Sequence, residues 1–263
     1  MVWLTSQSVW LLVVGCLSIA IAVAFGSRYL VLWILPERER EEAHSIAAAL
    51  MTAFAAAFAL LTALTLANEV SSLSSAQTTV SSEAAAASTL AWSSTNPGVQ
   101  AAPIQIALGN YLVATRTFEW HGASAANGDD APTDNAVAQL ERIVRREAAR
   151  PEVGIPTSTE LLTNVDALTT QRRIRLADAS HSIPDFYAVL VVVVGLALIV
   201  NTSIVGIRGG LRASLVTISL SVVIALSIAL LLSLATPWRG AIQVSGHPID
   251  TVIKDLGTNY FHR

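Results

Sequence analysis

Residues 46–67 read IAAALMTAFAAAFALLTALTLA, and 68–91 continue as NEVSSLSSAQTTVSSEAAAASTLA. The first segment holds no charged residue and has the length, about 20 residues, that crosses the hydrocarbon core of a bilayer. The second is polar, yet Leu66, Val70, Leu73, Gln77, Val80, Ala84, Ala87 and Ala91 recur at alternating three- and four-residue spacing, the period of a helical seam. A membrane helix is therefore expected to run on into the polar phase until Ser-Ser-Thr-Asn-Pro-Gly at 93–98 ends it.

Three further apolar stretches flank this one: residues 9–25, resuming after Arg28 at 29–35, then 186–205 and 211–235. None carries a charge at its centre. The chain is 53% hydrophobic and 13% charged, and a soluble domain carries about twice that charged fraction. The reading is an all-α membrane protein with four transmembrane helices as two hairpins and an all-helical extramembrane insert between helices 2 and 3. Its divisions are 1–67, first transmembrane hairpin; 68–183, helical domain; 184–236, second hairpin; and 237–263, C-terminal tail. Trp3, Trp10, Phe186, Tyr187 and Trp238 fall on one side of this topology and Tyr29 and Trp33 on the other, as aromatic belts do.

Val-Val-Gly-Cys at 13–16 resembles a lipoprotein cleavage box. No Lys or Arg precedes it, however, and the sequence stays apolar to Phe25, so it reads as span rather than signal. Cys16 is the one cysteine and excludes an intrachain disulfide. Basic residues near the span ends divide evenly between the two sides, leaving orientation open; the leading helix favours an outside amino terminus.

Within the insert, Pro103 suits a helix first turn, and Ile104, Leu108, Tyr111, Thr115 and Phe118 share a face. Thr133 or Asp134 is expected to cap the next helix, with Val137, Leu140 and Val144 inward and a stop near Arg150-Pro151. A last helix starts near Thr157 or Ser158, with Leu161, Val165 and Leu168 on one stripe, and runs to Arg172, Arg173 and Arg175. One short strand is expected at 241–244.

Enzyme chemistry finds little support. His44, His121, His181, His247 and His262 lie too far apart for a local metal pair, and no HExxH, CxxC, phosphate loop or Gly-x-Ser-x-Gly elbow occurs. The expectation is a non-enzyme without metal or cofactor. With a net charge of −3, no nucleic-acid partner is expected either.

Two groups of residues bear on transport. Ala48, Thr52, Ala55, Ala59 and Thr62 share one side of the second span, whereas Leu50, Phe54, Phe58 and Leu61 cluster on another. Small residues permit tight helix packing; the alternative is a narrow pore wall backed by the bulky stripe. Ser214, Thr217 and Ser221 on the fourth span are expected to bond their own backbone, and Asn201 to find an interhelical partner. Arg172, Arg173 and Arg175, just ahead of a membrane entry, would collect anions at a vestibule if uncompensated. The run Pro36-Glu37-Arg38-Glu39-Arg40-Glu41-Glu42 suits a helix start, its acids facing the dipole and Arg38 pairing with Glu42; an ion-entry ring is the other reading.

Taken in order, Ser-Glu83-Ala84, Asn-Tyr111, Phe-Glu119-Trp120, Arg172-Arg173-Ile-Arg175, Ile-Pro184 and Pro237-Trp238-Arg239-Gly240 around four spans resemble the bestrophin-like domain family. The resemblance covers nearly the whole chain. It implies a distant relation to bestrophins, oligomeric anion channels with a pore on the symmetry axis and a helical domain outside the membrane. By that analogy this would be a homo-oligomer, a pentamer, in the plasma (inner) membrane with its insert cytoplasmic, conducting small inorganic anions through a pore lined by the second span. Nothing matches the bestrophin calcium clasp. Glu83, Tyr111, Glu119, Trp120, Pro184, Pro237 and Gly240 would serve structure: Trp120 anchoring the insert at the membrane surface, Glu119 bridging to Arg116 or the basic run. A non-conducting scaffold or accessory subunit whose insert binds a partner is the rival reading. A membrane sensor ranks last, because the tail is too short for an output domain.

Overall fold

The computed structural model describes residues 9–34, 36–120, 130–180, 185–208, 210–234, 238 and 243–262. Among these there are eight α-helices and no strand: α1 (Val9–Ile34), α2 (Glu37–Ser93), α3 (Ala101–Phe118), α4 (Ala131–Ala148), α5 (Ile155–Ser180), α6 (Asp185–Val205), α7 (Gly210–Leu234) and α8 (His247–Gly257). The expected strand at 241–244 is absent at Gln243 and Val244; Ala241 and Ile242 lie outside the described residues.

The long helix is continuous. α2 runs for 57 residues, about 85 Å at 1.5 Å per residue, and its early residues belong to one compact unit and those from Ser72 to the other. Four helices among the described residues are long and apolar enough to cross a membrane: α1, α2, α6 and α7.

In the first unit, α1 packs against both α6 and α7, which also pack on each other. Phe58 of α2, Ala20 and Ala24 of α1, Val191, Leu198 and Ile199 of α6, and Ile224 and Ala225 of α7 form its core. Gly195 makes the closest approach, since a Cβ there would lie 3.0 Å from Phe58 Cε2 and 3.1 Å from Ile224 Cγ2. The Asn201 amide donates to the Ala47 carbonyl across helices at 2.9 Å, the interhelical partner the sequence calls for.

The second unit buries the α2 seam. Val80, Ala84, Ala87 and Ala91 sit in a core with Ile104, Leu108, Tyr111, Leu140, Val144, Leu161, Val165 and Leu168. Val70, on the same seam, is exposed. Gln77 replaces an apolar knob with a two-way bond: its amide donates to the Ser245 carbonyl at 3.4 Å and accepts from the Ser245 N–H at 2.9 Å. The last residues, from Gln243, belong to this unit, with Ile249 and Val252 of α8 in the same core.

Two helix starts differ from the sequence expectation. α4 begins at Ala131 with Asp130 in the cap position and Pro132 in the first turn, ahead of Thr133 and Asp134; α5 begins at Ile155, ahead of Thr157 and Ser158. Both starts contain a proline, whose fixed φ favours the first turn and outweighs the nearby cap residues.

Candidate functional site

The helical unit contains a sealed charge network. Arg172 and Arg175 are three residues apart on α5, hence on one face. Arg175 Nε donates to Glu83 Oε2 of α2 at 2.6 Å, and its Nη2 donates to Glu119 Oε2 at 2.7 Å. Arg172 reaches both oxygens of Glu119 and donates to Asp134 Oδ1 of α4 at 2.6 Å. The remaining Glu83 oxygen accepts from the Tyr111 hydroxyl of α3. Glu83, Glu119 and Arg175 are wholly buried.

Burial, then the Glu83 carboxylate, pushes the Tyr111 hydroxyl well above its ordinary pKa of 10. Burial works against the charge on Arg175, but Glu83, Tyr111 and Glu119 outweigh it and hold the guanidinium more firmly protonated than usual. Two guanidiniums thus face three carboxylates. The arrangement ties α2, α3, α4 and α5 together and offers no free cation to an anion.

This corrects the vestibule expectation. Arg172 and Arg175 are compensated and point into the bundle, and only Arg173 is exposed. The Glu119 bridge goes to the basic run, whereas Arg116 pairs with Asp250 at 2.6 Å. Trp120 is also placed differently from the surface anchor expected: it is buried, with the Arg116 guanidinium 4.6 Å and the Arg175 guanidinium 5.9 Å from its ring centroid. Trp238 meets it edge-on at 5.6 Å, so this tryptophan fills a core instead of joining an aromatic belt. Trp10, Tyr29, Trp33, Phe186 and Tyr187 are exposed as belt residues would be.

In the first unit, α2 presents two unlike sides. Phe58 is buried, with Phe54 and Leu61 packed against the same core; Leu50 stays exposed. Ala48, Thr52, Ala55 and Ala59 form an exposed row, and Thr62 at its end is half-buried with Oγ1 enclosed and unpartnered among the described residues. Two turns on, Glu69 is buried with its Oε2 likewise unpartnered. Sequence reasoning passed over Glu69 because it lies just beyond the apolar run.

Ser214, Thr217 and Ser221 donate to carbonyls four residues earlier, as expected of membrane hydroxyls. Glu37 and Glu39 occupy the first turn of α2. The Arg38 side chain, Pro184, Pro237 and Gly240 lie outside the described residues. No group of three or more potential metal ligands occurs among the described residues.

No curated protein sequence matches the chain. A solved structure of a point mutant of a bacterial bestrophin homologue from Klebsiella pneumoniae is similar in fold, with a TM-score of 0.67 over 95% of this chain and 99% of that one at 12% identity. The model of the bestrophin-like domain matches residues 12–249. With nearly every helix described above inside that match, the chain belongs to the bestrophin-like domain family.

Proposed function

We propose that the chain is one subunit of a homo-oligomeric ion channel. It sits in the plasma (inner) membrane through four spans as two hairpins, with residues 68–183 on the cytoplasmic side. Copies of α2 surround an axial pore, lined by Ala48, Thr52, Ala55, Ala59 and Thr62, that passes small inorganic anions. Membership of the family supports the channel class. The single observation that carries the pore assignment is the exposed row of small residues on a helix whose Phe54, Phe58 and Leu61 already pack inside its own unit. Such a row lets helices of neighbouring subunits approach closely around a narrow passage. No acidic side chain interrupts it, so the wall presents methyl groups and threonine hydroxyls to a passing anion.

Compensation of Arg172 and Arg175 favours a second reading, the non-conducting scaffold, because it removes two members of the anion funnel. The purified protein in liposomes separates the readings. Currents whose reversal potential follows the chloride gradient, from particles that remain oligomeric, support the channel; cation preference overturns the anion assignment. Silence from intact oligomers favours the scaffold.

A further inference from the structure

Arg28 lies inside α1, a helix apolar enough to span a membrane, about 9 Å along the axis from its carboxyl end. An ionised side chain at such a position is costly unless it meets a partner, and by default marks a functional site. Arg28 is half-buried, and its Nη1 donates to Ser214 Oγ of α7 at 2.7 Å. Among the described residues it has no carboxylate partner. That one bond leaves the other guanidinium donors unassigned.

Beside it is a cavity of about 20 Å³, lined by Arg28, Ser203, Ser214 and Thr217 on an otherwise apolar wall. This is room for one water-sized occupant. We propose that this cavity binds a single small anionic group, of the size of a halide ion or one phosphate oxygen, against the Arg28 guanidinium and away from the α2 face. The carboxylate missing from the site is the charge the ligand supplies. A cation would meet the guanidinium with no acid among the described lining residues to offset it.

The hydroxyls can adapt to this ligand. Ser203, Ser214 and Thr217 spend their protons on carbonyls four residues earlier, at 2.8, 3.1 and 3.0 Å. Those local bonds contribute little to a helix. Swinging an O–H into the cavity exchanges one for a charge-assisted bond, about twice as strong as a neutral one. Tyr29 and Trp33, the exposed aromatics that follow, are of the kind found at headgroup level, so the anion can come from solution or from a lipid phosphodiester.

The test uses the full chain purified in detergent, melted in sodium chloride and in sodium gluconate at equal ionic strength, with and without added phosphatidylglycerol or phosphatidylcholine. Chloride is expected to raise the wild-type melting temperature by about 2–4 °C over gluconate, the response to a stabilisation near 1 kcal/mol in a chain of this size. R28Q should abolish that gain, R28K should keep part of it and S214A should reduce it. A gain with phosphatidylglycerol alone, lost in R28Q, identifies a lipid phosphate as the source of the same chemistry. If neither chloride nor phosphatidylglycerol stabilises the wild type, or if R28Q responds like the wild type, the proposal fails. Should R28Q not fold, equal responses in wild type and S214A overturn it.

Discussion

Arg175 and Glu83, 92 residues apart in sequence, form an ion pair at 2.6 Å with both side chains sealed from solvent. The pair fixes α5 against α2 at one register; Glu119 accepts from Arg175 Nη2 and the Tyr111 hydroxyl donates to the other Glu83 oxygen, while Arg175 Nη1 is enclosed and unpartnered among the described residues. Removing water from two charges is expensive, and close pairing with added hydrogen bonds is what repays it. Sealed charges therefore make this unit intolerant of a missing partner.

R175M leaves Glu83 buried without its cation and Glu119 with Arg172 alone, so it should destabilise the helical unit by about 3–5 kcal/mol. Adding E83Q to R175M removes one stranded charge and should recover part of the loss. Thermal unfolding of the two single variants and the double variant measures this coupling. Additive losses would mean that the pair contributes no interaction of its own.

Alkaline pH should act through Tyr111. Its folded pKa is raised well above the ordinary value of 10, so above pH 10 the unfolded chain releases a proton that the folded chain keeps. The resulting stability is fully present below pH 10 and is lost as pH rises toward the folded value. The melting temperature of the wild type should accordingly fall more steeply between pH 10 and 11 than that of Y111F, with other titrating groups common to both.

Glycine substitutions should divide by their surroundings. G195V puts methyl groups where Phe58 and Ile224 already stand within 3.0–3.1 Å of a Cβ, and should cost about 1–3 kcal/mol by overpacking. G109A meets nothing within 4 Å and lies within α3, so it should stabilise by about 0.5–1 kcal/mol through helix propensity. Unfolding of the two variants in mild detergent checks both signs.

Much of this fold is local and therefore legible in the sequence. Apolar length gives the four candidate spans, and the spacing of Val80, Ala84, Ala87 and Ala91 gives the extension of α2. The starts of α4 and α5 are less legible because Pro132 and Pro156 compete with good cap residues one or two positions on. Of the charge network, only the bridge from Glu119 to the basic run is legible in the sequence. Arg172, Arg173 and Arg175 look alike in sequence, and what distinguishes them is that residues three apart on a helix share a face while their neighbour does not. Glu83 and Glu119, which complete that face, are brought by other helices. Trp238 reads as a belt residue for the same reason, until Trp120 is found beside it.

The pore assignment depends on the exposed row of α2. If copies of that row surround the axis, a large side chain at Ala55 or Ala59 fills the passage without disturbing the Phe58 side, which packs inside each subunit. A55W and A59W should then reduce ion flux into liposomes at least tenfold while size and melting temperature stay near the wild-type values. M51W is the comparison, since Met51 is half-buried and lies off the row; it should lower stability before it lowers flux. Neutralising Arg173, the exposed member of the basic run, should reduce anion conductance only modestly, and more at low than at high ionic strength. Unchanged flux through intact A55W and A59W oligomers would move the pore away from this helix face.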